Sequence, residues 1–143
     1  VRSSAASAVY KRQVRIRRGD YLSAQNQAMF GGICDDAYYD RAIAEMKRRL
    51  PEAVFFFFSN DTDWVKERYR GENCVVAEGN GEDAGFRDLF LMSRCRHHIM
   101  ANSSFSWWGA WLDENPDKVV IAPKRWFNDR ECRDIYTDGM IRM

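Results

Sequence analysis

The sequence predicts an α/β fold in which helices wrap a parallel β-sheet. Short β-rich runs alternate along the chain with stretches whose apolar residues recur at helical spacing. The run at residues 53–58 (AVFFFF) is apolar throughout, which is typical of a strand covered by helices on both faces. Polar clusters follow the strand-like runs, and open parallel sheets bind ligands at the carboxyl ends of their strands. We therefore expect one domain over residues 1–143, with its polar clusters along one edge of the sheet.

The strands are predicted from short runs that contain β-branched or aromatic residues. They lie at residues 12–16, 53–58, 73–77, 98–101 and 119–122. The polar clusters that follow them are Arg17-Arg18-Gly19-Asp20, Ser59-Asn60-Asp61, Asn102-Ser103-Ser104 and Lys124-Arg125. Because parallel strands end at the same edge of a sheet, we expect all four clusters on that edge.

The helices are predicted between these strands, at residues 36–50, 64–69, 83–96 and 105–113. The first is capped by Asp35 or Asp36 and stopped by Pro51. The third is apolar on most sides, so we expect it to be buried. The fourth carries three tryptophans, which we expect in the core rather than on a stacking surface.

The composition excludes several classes of protein. Hydrophobic residues make up 45% and charged residues 30% of the chain, which excludes disorder, collagen-like repeats and a coiled coil. No apolar run approaches the ~18 residues that span a bilayer. The net charge of +1 provides no field for a polyanion, so nucleic acid is disfavoured as a partner despite the Arg and aromatic content. The cysteines form no Cys-x-x-Cys pair and His97 and His98 have no ligand spacing, so we expect no metal site.

The first candidate site is the cluster Arg17-Arg18-Gly19-Asp20 at the end of a strand. Adjacent strand residues point to opposite faces, so only one arginine of a continuing strand reaches a given ligand. Asp20 would then hold the other arginine in place. A solvated ion-pair cluster is the structural alternative for these residues.

The second candidate is the turn Asn102-Ser103-Ser104-Phe105-Ser106 between a strand and a helix. Hydroxyl side chains and the first backbone N–H groups of a helix attract an anion. We expect a phosphate to bind the hydroxyls of Ser103 and Ser104 and the N–H groups of Ser104 and Phe105. Simple N-capping by Ser103 is the alternative.

The third candidate is Asp88, near the start of the third predicted helix. A carboxylate there can accept two hydrogen bonds from the adjacent N1 and N2 donors of guanine, an edge that adenine and uracil lack. The alternative is a first-turn aspartate favoured by the helix dipole.

Six segments together resemble glycosyltransferase family 11, the α-1,2-fucosyltransferases, over almost the whole chain from Val14 onward. Five of them are residues 15–21 (RIRRGDY), 31–34 (GGIC) with Tyr38-Tyr39, 58–61 (FSND), 88–93 (DLFLMS) and 120–127 (VIAPKRWF). The sixth, residues 101–112 (ANSSFSWWGAWL), is close to diagnostic of the family.

The resemblance implies a GT-B-type fold with two Rossmann-like domains, of which this chain would be the C-terminal, GDP-sugar-binding one. Residues 1–13 are unlike the family, and the upstream acceptor-side domain would be missing. The activity implied is transfer of L-fucose from GDP-β-L-fucose to the 2-hydroxyl of a terminal galactose, with inversion and without a metal or other cofactor. The partners implied are therefore GDP-fucose and a galactose-terminated glycan.

The resemblance also implies roles for single residues. Arg17 would contact the diphosphate and act as the catalytic residue, and Asp88 would recognise guanine. Ser103, Ser104 and Phe105 would form the phosphate turn. Arg15 stands where the family usually has His, and is retained as a donor-binding candidate. The other donor-binding candidates are Arg18, Asp20 and Asn102.

Several alternatives stay open at this point. The chain is either part of an active transferase or a non-catalytic GDP-sugar-binding fragment of one. The general base is unassigned, with Asp20 a candidate by position. The family implies a cytoplasmic or peripheral membrane location in a bacterium and the Golgi membrane in a eukaryote.

Overall fold

The computed structural model describes residues 11–16, 23–79 and 82–143, with the backbone alone at residues 11–16 and 82. The described residues form a six-stranded sheet in the order β3-β2-β1-β4-β5-β6, and every neighbouring pair of strands is parallel. The strands are β1 (Lys11–Ile16), β2 (Val54–Ser59), β3 (Cys74–Val76), β4 (His98–Ile99), β5 (Val120–Ala122) and β6 (Ile141–Arg142). This confirms the predicted α/β class with a parallel sheet.

Helices connect the strands and cover the sheet. They are α1 (Ala24–Phe30), α2 (Asp36–Arg49), α3 (Thr62–Arg68), α4 (Gly85–Ser93), which a short 3-10 turn (Glu82–Ala84) precedes, and α5 (Ser104–Trp111). Asp35 caps α2 and its carboxylate accepts from Tyr38 N–H at 2.7 Å, as the sequence indicates. None of the helices in the described residues is long and apolar enough to cross a membrane.

The alternation of strand side chains divides the core between the two faces of the sheet. Phe55 and Phe57 of β2 pack under α2 and α3 on one face, together with Ile99 and Ile121. Phe58 packs with Met92 of α4 on the other face. Because both faces are covered, β2 is apolar throughout.

The strand order places the carboxyl ends of β1 and β4 next to each other. Val14 of β1 is paired with Ile99 of β4, and β2 and β3 lie on one side of this pair while β5 and β6 lie on the other. The order 3-2-1-4-5-6 is that of a doubly wound Rossmann-like sheet, and ligands of such sheets bind in the crevice where the order reverses.

Two expectations about burial are wrong. The helix predicted over 83–96 is α4, residues 85–93, and it is not buried: Phe86 and Phe90 are 68% and 63% exposed. Trp108 and Trp111 of α5 are also exposed, by 48% and 53%. The two helices pack against the sheet and each other on one side only, so their outer aromatic residues meet solvent.

The structure also contains two elements that the sequence analysis does not predict. Helix α1 has no buried residue, so it leaves no apolar periodicity in the sequence. Strand β6 has two residues and pairs Ile141 with Ile121 of β5.

Candidate functional site

Two of the three candidate segments follow β1 and β4 in the sequence, and these two strands are neighbours in the sheet. Arg17, Arg18 and Asp20 follow β1 directly in the sequence and lie outside the described residues. Arg15 lies in β1, where the backbone alone is described. The turn that follows β4 contains the serines of the second candidate site, and it is described in full.

The turn after β4 is held by backbone groups and by a buried serine. Ser103 N–H donates to Ala101 O at 2.8 Å, and the Ser106 hydroxyl accepts from Ala101 N–H at 3.1 Å. The first bond of the α5 ladder runs from Trp107 N–H to Ser103 O at 3.0 Å. The amides of Ser104 and Phe105 therefore belong to the opening turn of the helix, before its own ladder begins.

Ser103 occupies the N-cap position of α5 in an extended conformation, with φ −142° and ψ 133°. Within the described part of the chain its side chain makes no capping hydrogen bond to the first turn. Ser103 is buried, whereas Ser104 is exposed. The simple capping alternative for Ser103 is therefore not what the structure has.

Asn102 joins three separate segments of the chain. Its side chain is only 3% exposed, and its amide nitrogen donates to Phe30 O and to Trp126 O, each at 3.2 Å. These carbonyls belong to the end of α1 and to the segment after β5. The Asn102 amide thus holds the turn in place and is not directed at solvent.

Asp88 lies in the first turn of α4 and is half-buried. The start of α4 lies close to the start of α5. A Cβ atom added at Gly85 of α4 would lie 3.7 Å from Cε2 of Phe105 in α5. Phe105 in turn packs against the cluster of Phe58 and Met92. The structure therefore places the first turn of α4 beside the serine turn, at the same edge of the sheet.

A layer of buried and partly buried residues supports the end of β4, and no sequence motif predicts this use of them. The Tyr38 hydroxyl donates to Met100 O at 2.6 Å. Burial raises the pKa of Cys34 to about 12, against the opposing effects of the Asn102 backbone and Tyr39. Burial also raises the pKa of Tyr38 well above its ordinary value. These groups stay neutral at physiological pH and serve as packing and hydrogen-bonding supports.

The two remaining polar clusters have different surroundings. Asp61 caps α3, and its carboxylate accepts from Trp64 N–H at 3.2 Å. Ser59 accepts from Asp61 N–H at 3.0 Å, so this cluster has a structural use. Lys124 and Arg125 instead line a cleft of about 1040 Å³ beside the ends of β5 and β6.

A metal centre is not found in the described part of the chain, where no group of three or more His, Cys, Asp or Glu side chains is arranged to hold an ion. His98 is buried and its Nε2 lies 2.7 Å from Asp113 Oδ2. His97 Nδ1 accepts from Val119 N–H at 3.0 Å. Both histidines thus have structural partners.

Comparison with known proteins gives a consistent set of relatives. The sequence matches the model of glycosyl transferase family 11 over residues 11–141. The alpha-1,2-colitosyltransferase of Escherichia coli is 42% identical over 123 residues, which are 82% of this chain and 41% of that protein. The O-antigen biosynthesis glycosyltransferase WbnK of Escherichia coli is 34% identical over 91% of this chain and 43% of that protein. Human galactoside alpha-(1,2)-fucosyltransferase 1 is 35% identical over 76% of this chain and 30% of that protein.

The chain spans about two fifths of the length of the two bacterial relatives. Among solved structures, the beta Kdo 2,4 transferase KpsC of Thermosulfurimonas dismutans aligns with a TM-score of 0.49 and 16% identity, over 79% of this chain and 33% of that chain.

The order of the parallel strands defines a doubly wound α/β domain, a class that binds ligands at the carboxyl ends of its strands. Within that class, the chain belongs to glycosyltransferase family 11. The family resemblance that the sequence motifs indicate is thereby confirmed.

Proposed function

We propose that this chain carries the donor-binding site of an inverting α-1,2-fucosyltransferase. The reaction is transfer of L-fucose from GDP-β-L-fucose to the 2-hydroxyl of a terminal galactose. Membership of family 11 supports the proposal, as do relatives named for α-1,2 transfer of fucose or colitose. The observation that carries it is the reversal of strand order between β1 and β4, because the arginine cluster and the serine turn follow these two strands in the sequence.

The chemical task of the site is to stabilise the leaving group. Breaking the bond between fucose and phosphate increases the negative charge on the β-phosphate. Arg17 and the amides at Ser104 and Phe105 supply the opposing charge and dipoles in this proposal, without a metal. Hydrogen bonds to charged groups contribute roughly 1.5–3 kcal/mol each.

Recognition of the guanine ring is assigned to Asp88, and the remaining residues are assigned supporting roles. The Asp88 carboxylate would accept from the N1 and N2 donors of guanine. Arg15, Arg18 and Asp20 stay donor-site candidates by their place in the sequence. Asn102 positions the serine turn in this account, since its buried amide is bonded to two backbone carbonyls. The acceptor hydroxyl also needs a base, for which Asp20 is a candidate by position.

A second candidate differs in the donor sugar. The 42% identity to an alpha-1,2-colitosyltransferase favours a colitosyl donor, with the same linkage formed. A third reading, a GDP-sugar-binding module without activity, is separated from both by measuring turnover.

The test is a kinetic comparison of Arg17 variants in a polypeptide extended to the length of the relatives. We expect Arg17→Ala and Arg17→Lys each to lower kcat about a hundredfold with a much smaller change in GDP binding, because lysine keeps the charge but loses the forked contact. Transfer to lactose from GDP-fucose and from a colitosyl donor identifies the donor. Addition of EDTA should leave the rate unchanged.

Three results would contradict the proposal. An Arg17→Ala variant with normal kcat would remove Arg17 from leaving-group stabilisation. A strict requirement for added Mn²⁺ or Mg²⁺ would contradict the metal-free mechanism. Absence of transfer with either donor, while GDP still binds, would leave the non-catalytic module as the function.

A further inference from the structure

The cleft beside β5 and β6 is lined by more basic than acidic side chains. Its volume is about 1040 Å³, which is large enough for an oligosaccharide. The basic residues that line it are Arg41, Lys124, Arg125, Arg130, Arg133 and Arg142, and the acidic ones are Asp35, Asp129 and Glu131. The whole chain has a net charge of only +1, so this cleft concentrates positive charge.

The acidic side chains neutralise only part of this charge. Asp129 lies 3.7 Å from Arg130, and Glu131 lies 2.9 Å from Arg133. Four cations line the cleft without a carboxylate within 4.0 Å among the described residues; they are Arg41, Lys124, Arg125 and Arg142. Even with Asp35 as the third carboxylate of the lining, the side chains of the cleft carry a net positive charge, which attracts an anion.

Arg142 is already held in position. Its guanidinium lies 4.1 Å from the ring centroid of Tyr136 and donates to Lys124 O at 2.8 Å. Tyr136 is fixed in turn, since its hydroxyl donates to Pro123 O at 2.7 Å. A guanidinium held by its own protein loses little conformational entropy when it binds a phosphate.

The cleft adjoins the serine turn through Asn102. Trp126 lines the cleft, and its carbonyl accepts from the Asn102 amide at 3.2 Å. Asn128, also in the lining, donates to Gly31 O at 2.9 Å and fixes the same wall to the end of α1. The cleft thus lies at the same edge of the sheet as the proposed donor site, displaced toward β5 and β6.

We propose that this cleft binds a phosphate group carried by the acceptor saccharide, an inference that rests on the proposed function. The donor diphosphate is assigned to the crevice between β1 and β4, so these four cations are left for a different anion. A phosphate monoester carries nearly two negative charges at neutral pH, and several cations suit it better than a single carboxylate. Arginine also forms forked contacts with phosphate.

The test titrates a polypeptide extended to the length of the relatives, as in the kinetic comparison, with lactose 1-phosphate by calorimetry, alongside lactose and inorganic phosphate. We expect lactose 1-phosphate to bind at least tenfold more tightly than either of the other two, and more weakly as salt is raised. The triple variant Lys124→Gln/Arg125→Gln/Arg142→Gln should weaken that binding at least fivefold. Arg70→Gln should leave that binding unchanged. Arg70 is an exposed arginine next to β3, the outermost strand on the side of the sheet away from β5 and β6.

GDP titration separates this inference from the proposed function. Unchanged GDP binding by the triple variant supports two separate sites and shows that the variant is folded. If the triple variant does not fold, the double variant Lys124→Gln/Arg125→Gln keeps the contact between Arg142 and Tyr136. This double variant should still bind lactose 1-phosphate more weakly than the unchanged protein.

Other outcomes overturn one proposal or the other. Equal binding of lactose and lactose 1-phosphate, or of inorganic phosphate and lactose 1-phosphate, would overturn the acceptor-phosphate site. Loss of GDP binding in a folded triple variant would also overturn it, because the cleft would then belong to the donor. Failure of the unchanged chain to bind GDP would overturn the proposed function instead.

Discussion

Asn102 and Ser104 are two residues apart in one polar turn, yet their side chains have different surroundings. Asn102 is buried, and its amide is bonded to the carbonyls of Phe30 and Trp126. Ser104 is exposed at the first position of α5. At the scale of the residue, one side chain holds the turn in place and the other is open to solvent at the start of the helix.

Substitution of these two residues separates stability from binding. Asn102→Ala leaves one buried and one partly buried carbonyl without their donor, so we expect the free energy of unfolding to fall by about 2–3 kcal/mol. Ser104→Ala should change it by less than about 0.5 kcal/mol but should weaken GDP binding severalfold. Urea unfolding and calorimetry measure the two effects. A stable Asn102→Ala protein, or a Ser104→Ala protein with normal GDP affinity, would contradict these assignments.

At the scale of the element, the contact between α4 and α5 depends on a glycine. A Cβ atom at Gly109 would lie 2.7 Å from Cε and 3.0 Å from Cβ of Met92, a residue that is fully buried. The contact at Gly85 is looser, with the nearest atom of Phe105 at 3.7 Å. There is therefore less room for a side chain at Gly109 than at Gly85.

We expect Gly109→Ala to destabilise the protein by about 1–3 kcal/mol, because overpacking against Met92 outweighs the roughly 1 kcal/mol by which alanine favours a helix. Gly85→Ala is the matched control and should be close to neutral. Thermal unfolding of both variants measures the difference. Equal melting temperatures would show that the two helices do not pack closely at Gly109.

The sequence predicts the sheet more reliably than the surroundings of single side chains. Apolar runs such as 53–58 identify strands covered on both faces, and the polar clusters mark where the strands end. Periodicity shows which residues share a face of a helix but not what covers that face, so the exposure of Phe86 and Trp111 was not predictable.

Long-range hydrogen bonds are similarly invisible in the sequence. The two carbonyl partners of Asn102 lie 72 and 24 residues away from it. The Tyr38 hydroxyl bonds to Met100 O, 62 residues away. The sequence of a polar turn does not show which side chains hold the turn and which meet a ligand, so the structural hydrogen bonds of Asn102 are found only in the structure.

At the scale of the whole molecule, ionisable groups are buried at the amino ends of the strands, away from the proposed donor site. His98 at the start of β4 is fully buried, with Nε2 2.7 Å from Asp113 Oδ2. Lys118 Nζ donates to the carbonyls of Ala110 and Asp113 at 2.8 and 2.7 Å. Burial lowers the pKa of His98, while the hydrogen bond that its imidazole makes to the Asp113 carboxylate opposes that shift.

The lowered pKa of His98 makes stability depend on pH. The unfolded chain binds a proton at this histidine near pH 6.5, before the folded protein does, so protonation favours unfolding. We expect the full free energy of unfolding above pH 6.5 and a decline as pH falls below it, with a slope of at most about 1.4 kcal/mol per pH unit from one proton. Urea unfolding between pH 8 and pH 5 measures this slope, and His98→Gln should flatten it. The same slope in both proteins would remove His98 as the cause.

Binding of a guanine nucleotide between the carboxyl ends of β1 and β4 is measured by calorimetric titration of the chain with GDP, ADP and UDP. We predict that GDP binds at least tenfold more tightly than ADP or UDP, because only guanine offers Asp88 two adjacent donors. Asp88→Asn should abolish that preference, while Asp83→Asn, which alters an exposed carboxylate in the turn before α4, should keep it. Equal affinity for the three nucleotides, or an unchanged preference in Asp88→Asn, would contradict the account.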